Sequence, residues 1–161
     1  MLTPVKNKKV SASRGAFAIV ASQYNARYVD AMLRAAKKTL SDAGAKVRIV
    51  RVPGAYEIPV VVSRLARQSE DEPLAAVICL GVILRGETVH AAHIGEAVSR
   101  ALMDLQLQFE IPVIHEVLLL ENKAQAEKRC LDKDHNRGTE AAQTALEMAR
   151  VMESLGKSVE P

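Results

Sequence analysis

The chain has 161 residues, which is enough for one domain with a buried core and too few for two ordinary domains. Hydrophobic residues make up 48% and charged residues 25%, a balance typical of globular proteins that excludes a disordered chain. The net charge of +3 is too small to indicate nucleic-acid binding, and no apolar stretch approaches the ~20 residues that cross a bilayer.

The N-terminus carries the one basic cluster of the chain, at residues 6–14. Polar residues separate this cluster from the first apolar run, so the pattern lacks the apolar core of a secretory signal peptide. We therefore expect residues 1–14 to form a flexible basic arm and residues 15–156 to form a single domain. Residues 157–161 are expected to be a frayed tail.

Cys79 and Cys130 are the two cysteines of the chain, and their spacing matches no metal motif. Cys79 lies inside an apolar run, where a small buried side chain is expected. Because nothing in this pattern requires an oxidising compartment, we predict a cytoplasmic protein with no membrane and no nucleic-acid partner.

Short apolar runs alternate with helical patterns along the chain. The runs predict strands at residues 17–21, 47–52, 75–80 and 112–120. The helical patterns fall at residues 28–43, 56–68, 88–109, 122–131 and 139–155. Strands separated by helices indicate βαβ units, so we predict a three-layer α/β/α, flavodoxin-like fold with a four-stranded parallel sheet. Ligands of such folds bind at the carboxyl ends of the strands, which selects four segments as candidate sites.

Tyr24 and Asn25 follow the first predicted strand. An aromatic ring at a strand end can stack on a planar ligand ring. On residue type alone, the stronger alternative is that Tyr24 packs against its own helix.

The segment after the second strand combines Gly54 with a helix start at Ala55, Tyr56 and Glu57. Glycine permits close approach of a ligand to the backbone. The first amides of a helix lack intrahelical partners and can hold a polar ligand edge. The alternative is an ordinary turn in which Glu57 only complements the helix dipole.

The segment after the third strand contains Glu87, Thr88 and His90 at another helix start. The amides of Glu87 and Thr88, with the Thr88 hydroxyl, form a candidate phosphate cradle. His90 is a candidate proton carrier, because imidazole exchanges protons near neutral pH. The alternative for His90 is a surface or capping residue. His93 follows one turn later, but no metal-ligand set accompanies it.

Arg129 and residues 134–138 follow the fourth strand. Arg129 and Arg137 are candidate anion-binding residues, although a solvated helix face is the stronger alternative on spacing alone. Together, the four segments describe a pocket for a phosphorylated small molecule and a flat polar ring.

The order and spacing of these segments resemble the lumazine synthase family across about residues 15–155. The most specific blocks are Val-Pro-Gly-Ala-Tyr-Glu-Ile-Pro at residues 52–59 and Gly-Glu-Thr-Val-His at residues 86–90. Further matching positions lie at residues 24–25, 80–83, 125–129 and 136–142. The two blocks are specific in combination, whereas either one alone is only suggestive.

The resemblance implies condensation of 5-amino-6-(D-ribitylamino)uracil with 3,4-dihydroxy-2-butanone 4-phosphate. The products are 6,7-dimethyl-8-ribityllumazine, phosphate and water, and the resemblance implies no metal and no organic cofactor. Family members form pentamers, and some assemble twelve pentamers into an icosahedral shell. The short segment at residues 130–136 favours the shell, and riboflavin synthase is a further expected partner.

The resemblance also implies roles for individual residues. Tyr24 corresponds to the aromatic that stacks on the pyrimidine, and Asn25 accompanies it. His90 corresponds to the proposed acid and base, and Arg129 to a phosphate-binding residue supplied by a neighbouring subunit. The remaining positions correspond to the ribityl contacts (Ala55, Tyr56, Glu57), the backbone that reads the uracil edge (Val82, Ile83) and the phosphate turn (Glu87, Thr88).

This chain departs from the family pattern on the fourth strand and beyond it. His115 replaces an aromatic that covers the substrate ring across the interface, and Glu116 replaces a glycine. Arg137 stands where a lysine is more frequent; we expect both His115 and Arg137 to contact substrate. Two rival functions are a riboflavin synthase of the related archaeal type and a non-catalytic flavin-binding shell.

Overall fold

Four parallel strands form the centre of the molecule. The computed structural model describes residues 3–6, 9–12, 15–68 and 73–156. Within these ranges the sheet has the order β2-β1-β3-β4, and every neighbouring pair is parallel. This is the order of doubly wound, flavodoxin-like folds, so the predicted fold class is confirmed. The strands are β1 (Ala16–Ser22), β2 (Lys46–Val52), β3 (Leu74–Leu84) and β4 (Val113–Leu120).

Helices cover both faces of the sheet. A 3₁₀ turn, Ala55–Glu57, precedes the second helix, and a π-helical turn, Glu127–Leu131, follows the fourth. The first and fifth helices pack on one face of the sheet, and the second and third pack on the other. In chain order the helices are α1 (Ala26–Asp42), α2 (Ile58–Arg67), α3 (His90–Phe109), α4 (Lys123–Ala126) and α5 (Arg137–Gly156).

The central strand β1 is buried along its whole length, and apolar from Ala16 to Ala21, because helices cover both of its faces. Ile19 points into the core under α1 and α5, whereas its neighbour Val20 points into the core under α2 and α3; both are fully buried. Full burial of a side chain of this size stabilises the fold by about 1.5–3 kcal/mol. The two layers of helices therefore fix the positions of β1 and β3, and with them the positions of their carboxyl ends.

Close contact between α1 and α5 depends on Gly138. A Cβ atom at this position would lie 2.0 Å from the carbonyl oxygen of Met32, which is backbone and cannot move aside. Asn136 fixes the approach to α5, since its Nδ2 donates to the Cys130 carbonyl at 2.6 Å and its Oδ1 accepts from the Gly138 N–H at 2.9 Å. The start of α5 thus lies directly on the backbone of α1.

The described parts of the N-terminal arm contact the domain at a few points. The Val5 N–H donates to the Asp134 carbonyl at 2.7 Å, and the Ala12 N–H donates to the Ala43 carbonyl at 2.9 Å. The Gln143 side chain donates to the Lys6 carbonyl at 2.9 Å. The flexibility of the arm stays a prediction, and the predicted tail at residues 157–161 lies outside the described residues.

The predicted end of the third strand was wrong. β3 continues to Leu84, four residues beyond Leu80, because β4 continues to pair with it as far as Leu84 and Leu120. A glycine normally weakens a strand, but at Gly81 a side chain would be crowded. A Cβ there would approach Val117 Cγ1 to 3.1 Å, so the glycine allows β3 to lie close to β4. Other differences are small: α3 begins at His90 and not at Thr88, and α5 begins two residues earlier than predicted.

None of the helices in the described ranges is long and apolar enough to cross a membrane.

Candidate active site

A cavity of about 440 Å³ opens at the carboxyl ends of β1, β2 and β3. Its position agrees with the rule that doubly wound sheets bind ligands at their strand ends. Additional lining comes from Gly54, Leu84, Gly86, Ala91 and Ile94. Among the predicted site residues, those that line the cavity are Tyr24, Ala55, Tyr56, Glu57, Val82, Ile83, Thr88 and His90.

Tyr24 presents an open ring at the mouth of the cavity. Its side chain is 72% exposed, which contradicts the alternative that it packs against its own helix. The Tyr24 N–H donates to the Pro53 carbonyl at 3.0 Å, so the turns after β1 and β2 are joined. The backbone of Tyr24 is therefore held in place, and the surface of its ring is free for a planar ligand.

The Asn25 side chain is hydrogen-bonded to the backbone of β3 in this structure. Its φ of 55° is in the left-handed region, which asparagine tolerates better than most residues. Its Nδ2 donates to the Val82 carbonyl at 2.7 Å, linking the start of α1 to the end of β3. Asn25 is not among the described residues that line the cavity, so its contact with substrate stays a prediction.

The turn after β2 lines the cavity and packs against β3. A Cβ at Gly81 would lie 3.5 Å from Ala55 Cβ, an ordinary van der Waals distance, so the 3₁₀ turn lies directly on the backbone of β3. A Cβ at Gly54 would lie 2.9 Å from Glu57 Oε2, so the Glu57 carboxylate folds back over the turn. Its acceptor oxygens line the cavity and can bind hydroxyl groups.

The start of α3 differs from the sequence-based expectation. The first intrahelical N–H of α3 is that of His93, which donates to the Val89 carbonyl at 3.1 Å. The amides of residues 90–92 therefore lack intrahelical partners, and Glu87 and Thr88 lie in the segment that leads into the helix. Thr88 and His90 line the cavity, whereas Glu87 is absent from its described lining.

Arg137 is held by two carboxylates and lies outside the described lining of the cavity. Its Nε and Nη2 donate to the two oxygens of Glu116 at 3.0 and 2.8 Å, and its Nη1 donates to Glu140 at 2.6 Å. Glu116 is only 5% exposed on β4. The bidentate edge expected to bind an anion is thus occupied by Glu116.

Burial and pairing act in opposite directions on this cluster. Burial raises the pKa of Glu116, and its hydrogen bonds with Arg137 offset this only in part. Burial lowers the pKa of Arg137, but the hydrogen bonds and charges of Glu116 and Glu140 reverse this and raise it overall. Sequence reasoning did not find this pair; the only available signal was the charged residue at a position where the family has glycine.

Arg129 is half-buried on the π-helical turn and also lies outside the described lining of the cavity. Glu116 and Arg129 both influence the buried thiol of Cys130, whose pKa is raised to about 12. Burial is the main cause, the charge of Glu116 adds to it and the charge of Arg129 opposes it. The π-helical turn that carries Arg129 contacts α1 and also α5, the helix that carries Arg137.

His115 points from β4 toward α3, on the opposite face of the strand from Glu116. Its Nε2 lies 2.8 Å from Ser99 Oγ, and its Nδ1 accepts from the Val117 N–H at 3.3 Å. The predicted residues His115, Arg129 and Arg137 therefore form a second group around β4, which the fold of one chain does not bring into the cavity.

Among the described residues, no three His, Cys, Asp or Glu side chains converge as a metal site requires.

Comparison with known proteins assigns the chain to a family. A sequence model described as 6,7-dimethyl-8-ribityllumazine synthase matches residues 15–153. The 6,7-dimethyl-8-ribityllumazine synthase of Stenotrophomonas maltophilia (strain R551-3) is 40% identical over 142 residues, covering 86% of this chain and 90% of that protein. The protein of the same name from Xanthomonas campestris pv. campestris (strain B100) is 39% identical over the same shares.

A de novo designed Rossmann fold protein also aligns with 77% of this chain, at 12% identity and a TM-score of 0.37. That likeness is too distant to add to the observed strand order. The family match covers nearly the whole domain and both sequence blocks around the cavity. The chain belongs to the 6,7-dimethyl-8-ribityllumazine synthase family.

Proposed function

We propose that this protein condenses 5-amino-6-(D-ribitylamino)uracil with 3,4-dihydroxy-2-butanone 4-phosphate to give 6,7-dimethyl-8-ribityllumazine, phosphate and water in riboflavin biosynthesis. The observation that carries the proposal is the single cavity in which an exposed tyrosine ring, the Glu57 carboxylate and His90 meet. These groups match the needs of a flat polar ring, a polyol chain and a proton transfer. Family membership supports the same reaction.

The pyrimidine substrate fits the part of the cavity between the ends of β1 and β3. The Tyr24 ring stacks on the uracil, and the backbone of Val82 and Ile83 reads its polar edge. The ribityl hydroxyls bind along Ala55, Tyr56 and Glu57, with the carboxylate accepting hydrogen bonds. Asn25 supports this arrangement, because its hydrogen bond to the Val82 carbonyl fixes the strand end.

The phosphate group of the second substrate fits the start of α3. The unpaired amides of the first turn and the positive end of the helix dipole favour an anion there. The Thr88 hydroxyl adds a donor, and Glu87 contributes through the backbone of the same turn. Arg129, supplied by a neighbouring chain, completes the charge balance and stabilises phosphate as it leaves.

The chemistry requires proton movement at each step. The 5-amino group of the uracil attacks the ketone, and loss of water gives an imine. A proton is then removed from the adjacent carbon and phosphate leaves, and the resulting enol tautomerises to its ketone form by proton transfer alone. The ribitylamino nitrogen attacks this ketone and closes the ring with loss of a second water. His90 accepts and returns these protons, a role worth typically ~10²–10⁴-fold in rate. Alignment of the two substrates supplies much of the rest.

We further propose that the chain forms a pentamer, in which the second group around β4 completes the cavity of a neighbour. Two separate apolar surfaces support this. Tyr56, Val60 and Val89 are exposed beside the cavity, and Met103 and Leu107 are exposed on α3. Two different surfaces that pair head to tail generate a ring when the rotation between neighbouring chains closes. His115 and Arg137 then contact substrate from that neighbour.

The proposed compartment is the cytoplasm, since Cys79 and Cys130 are both buried free thiols and neither forms a disulfide. Riboflavin synthase, which uses the product, stays a predicted partner.

One assay tests the proposed reaction against its rivals. Both substrates are mixed with the protein, and the absorbance of the lumazine product is followed against the uncatalysed rate. We expect acceleration that depends on both substrates and is lost in His90→Ala. Formation of riboflavin from lumazine alone would instead indicate the archaeal type of riboflavin synthase. Flavin binding without acceleration would indicate a storage shell.

A further inference from the structure

His115 has both ring nitrogens engaged within the chain, although its side chain is exposed. Ser99 Oγ on α3 lies 2.8 Å from Nε2, and the Val117 N–H on β4 points at Nδ1 from 3.3 Å. These two contacts lie in the plane of the ring, at its polar edges. The faces of the ring are the part of His115 that remains available to another molecule.

The positions of the protons follow from the neighbours. Ser99 Oγ lies 2.7 Å from the carbonyl oxygen of Gly95, which can only accept, so the serine hydrogen lies on that contact. Ser99 Oγ must therefore accept from His115, which requires a hydrogen on Nε2. The Val117 N–H can only donate, so Nδ1 carries no hydrogen. The ring is neutral and has a defined tautomer.

The surroundings of the ring favour the same state. Ser99 is flanked on α3 by Glu96 and Arg100, which pair with each other at 3.2 Å and so leave little net charge. On the adjacent strand β3 the residue in register is Cys79, and burial raises the pKa of its thiol. Partial burial lowers the pKa of His115, and a contact with its own backbone opposes this only in part. A proton on Nδ1 would face the Val117 N–H, two donors in contact.

We infer that Ser99 is a positioning residue for His115. It holds His115 as a neutral ring with both nitrogens hydrogen-bonded. The faces of that ring pack on the planar ring of the pyrimidine substrate bound by the neighbouring chain. This inference rests on the proposed function and identifies how a histidine can occupy the position of an aromatic. It also assigns the proton transfers to His90 and not to His115, because both ring nitrogens of His115 already take part in hydrogen bonds within the chain.

A double-mutant cycle tests the positioning role. Ser99→Ala is expected to raise the KM for the ribitylaminouracil roughly three- to tenfold, the size of one aromatic stacking contact, with a smaller change in kcat. In a His115→Phe background, whose ring needs no partner at its edge, Ser99→Ala is expected to produce no further change. Equal effects of Ser99→Ala in both backgrounds would overturn the inference.

Two further variants separate positioning from damage to α3. Ser99→Thr keeps the hydroxyl and is expected to restore a KM close to that of the parent. Ser154→Ala removes an exposed helical hydroxyl that bonds to the Val151 carbonyl at 2.6 Å and serves as the matched control. Failure of Ser99→Thr to rescue, or a similar rise in KM for Ser154→Ala, would count against a specific role of Ser99.

The tautomer is measured independently of activity by solid-state nitrogen NMR on the assembled ¹⁵N-labelled protein. The signals of His115 are assigned by their loss in His115→Phe. We expect Nδ1 in the unprotonated and Nε2 in the protonated position at neutral pH, and loss of this pattern in Ser99→Ala. A doubly protonated ring or the Nδ1–H tautomer would overturn the inference even in an active enzyme. If the expected pattern were found without lumazine formation, the proposed function would fail and the neutral ring would stand.

Discussion

Arg129 is the cation proposed to hold the phosphate of the butanone substrate from a neighbouring chain. Arg129→Ala removes a charge-assisted hydrogen bond, so we expect the KM for that substrate to rise by roughly tenfold to a hundredfold. The KM for the ribitylaminouracil should change little. Steady-state kinetics with each substrate varied in turn measures both values.

Lys128 provides the matched control for Arg129. It lies on the same π-helical turn and pairs with Asp132 at 2.5 Å, so Lys128→Ala removes the same charge from the same element. We expect Lys128→Ala to leave the selectivity between the two KM values intact. A rise in only the uracil KM in Arg129→Ala would contradict the phosphate role.

Glu116 is a buried carboxylate whose pKa is raised by burial. This shift predicts the direction in which the free energy of unfolding changes with pH. A group with a raised pKa in the folded state contributes stability that is present at low pH and lost as the pH rises through the folded value. Glu116→Gln keeps the shape without the charge. Its free energy of unfolding should therefore improve relative to the parent as the pH rises from about 4 toward 7.

Denaturant unfolding at several pH values, at one protein concentration, measures this trend. Glu140→Gln is the control, because it removes a carboxylate from the same guanidinium at a less buried position. Identical pH trends in both variants would show that burial of Glu116 is not the cause.

At the scale of elements, the contact between α1 and α5 depends on a missing side chain. Gly138→Ala would put Cβ 2.0 Å from the Met32 carbonyl oxygen, so one helix has to shift. We expect a loss of about 1–3 kcal/mol in the free energy of unfolding, the usual cost of overpacking. Thermal and denaturant unfolding measure it. In Gly156→Ala, at the other end of α5, the new Cβ meets no described atom within 4 Å, and we expect no loss.

The order of strands and helices could be predicted from the sequence because burial on both faces makes β1 and β3 almost entirely apolar. The end of β3 could not. Gly81 is a strand breaker by local preference, but the pairing of Leu84 with Leu120 overrides that preference. Likewise, the start of α3 depends on where β3 ends, so the helix begins at His90 and not at Thr88.

The position of the cavity was predicted from the rule that ligands of such folds bind at the carboxyl ends of the strands. The hydrogen bonds of the residues that support the site were not predicted. Asn25 bonds to Val82, Ser99 to His115 and Glu116 to Arg137, and each pair is separated along the chain by 16 to 57 residues. Local sequence patterns carry no information about such pairs. The register of β1, β3 and β4 and the packing of α3 and α5 bring them together.

For the whole molecule, we predict an assembly larger than a monomer, and the short segment at residues 130–136 favours a shell of sixty chains over a pentamer. The two assemblies differ twelvefold in mass for a chain of 17.5 kDa, so light scattering on the purified protein separates them. Val60→Asp places a charge on the exposed apolar surface beside the cavity and should reduce the mass of the particle. Val151→Asp, at an exposed position on α5, is the control.

If two chains share each active site, two variants with different defects should complement each other in mixed assemblies. His90→Ala impairs the cavity of its own chain but still offers Arg129 to a neighbour, and Arg129→Ala does the reverse. If the cavity and the group around β4 act in different chains, co-expression of the two variants should produce some sites with both residues intact. Lumazine formation should then exceed that of either variant alone, whereas simple mixing of preformed assemblies should give no gain. Absence of recovery after co-expression, with both chains present in one particle, would place the whole site within a single chain.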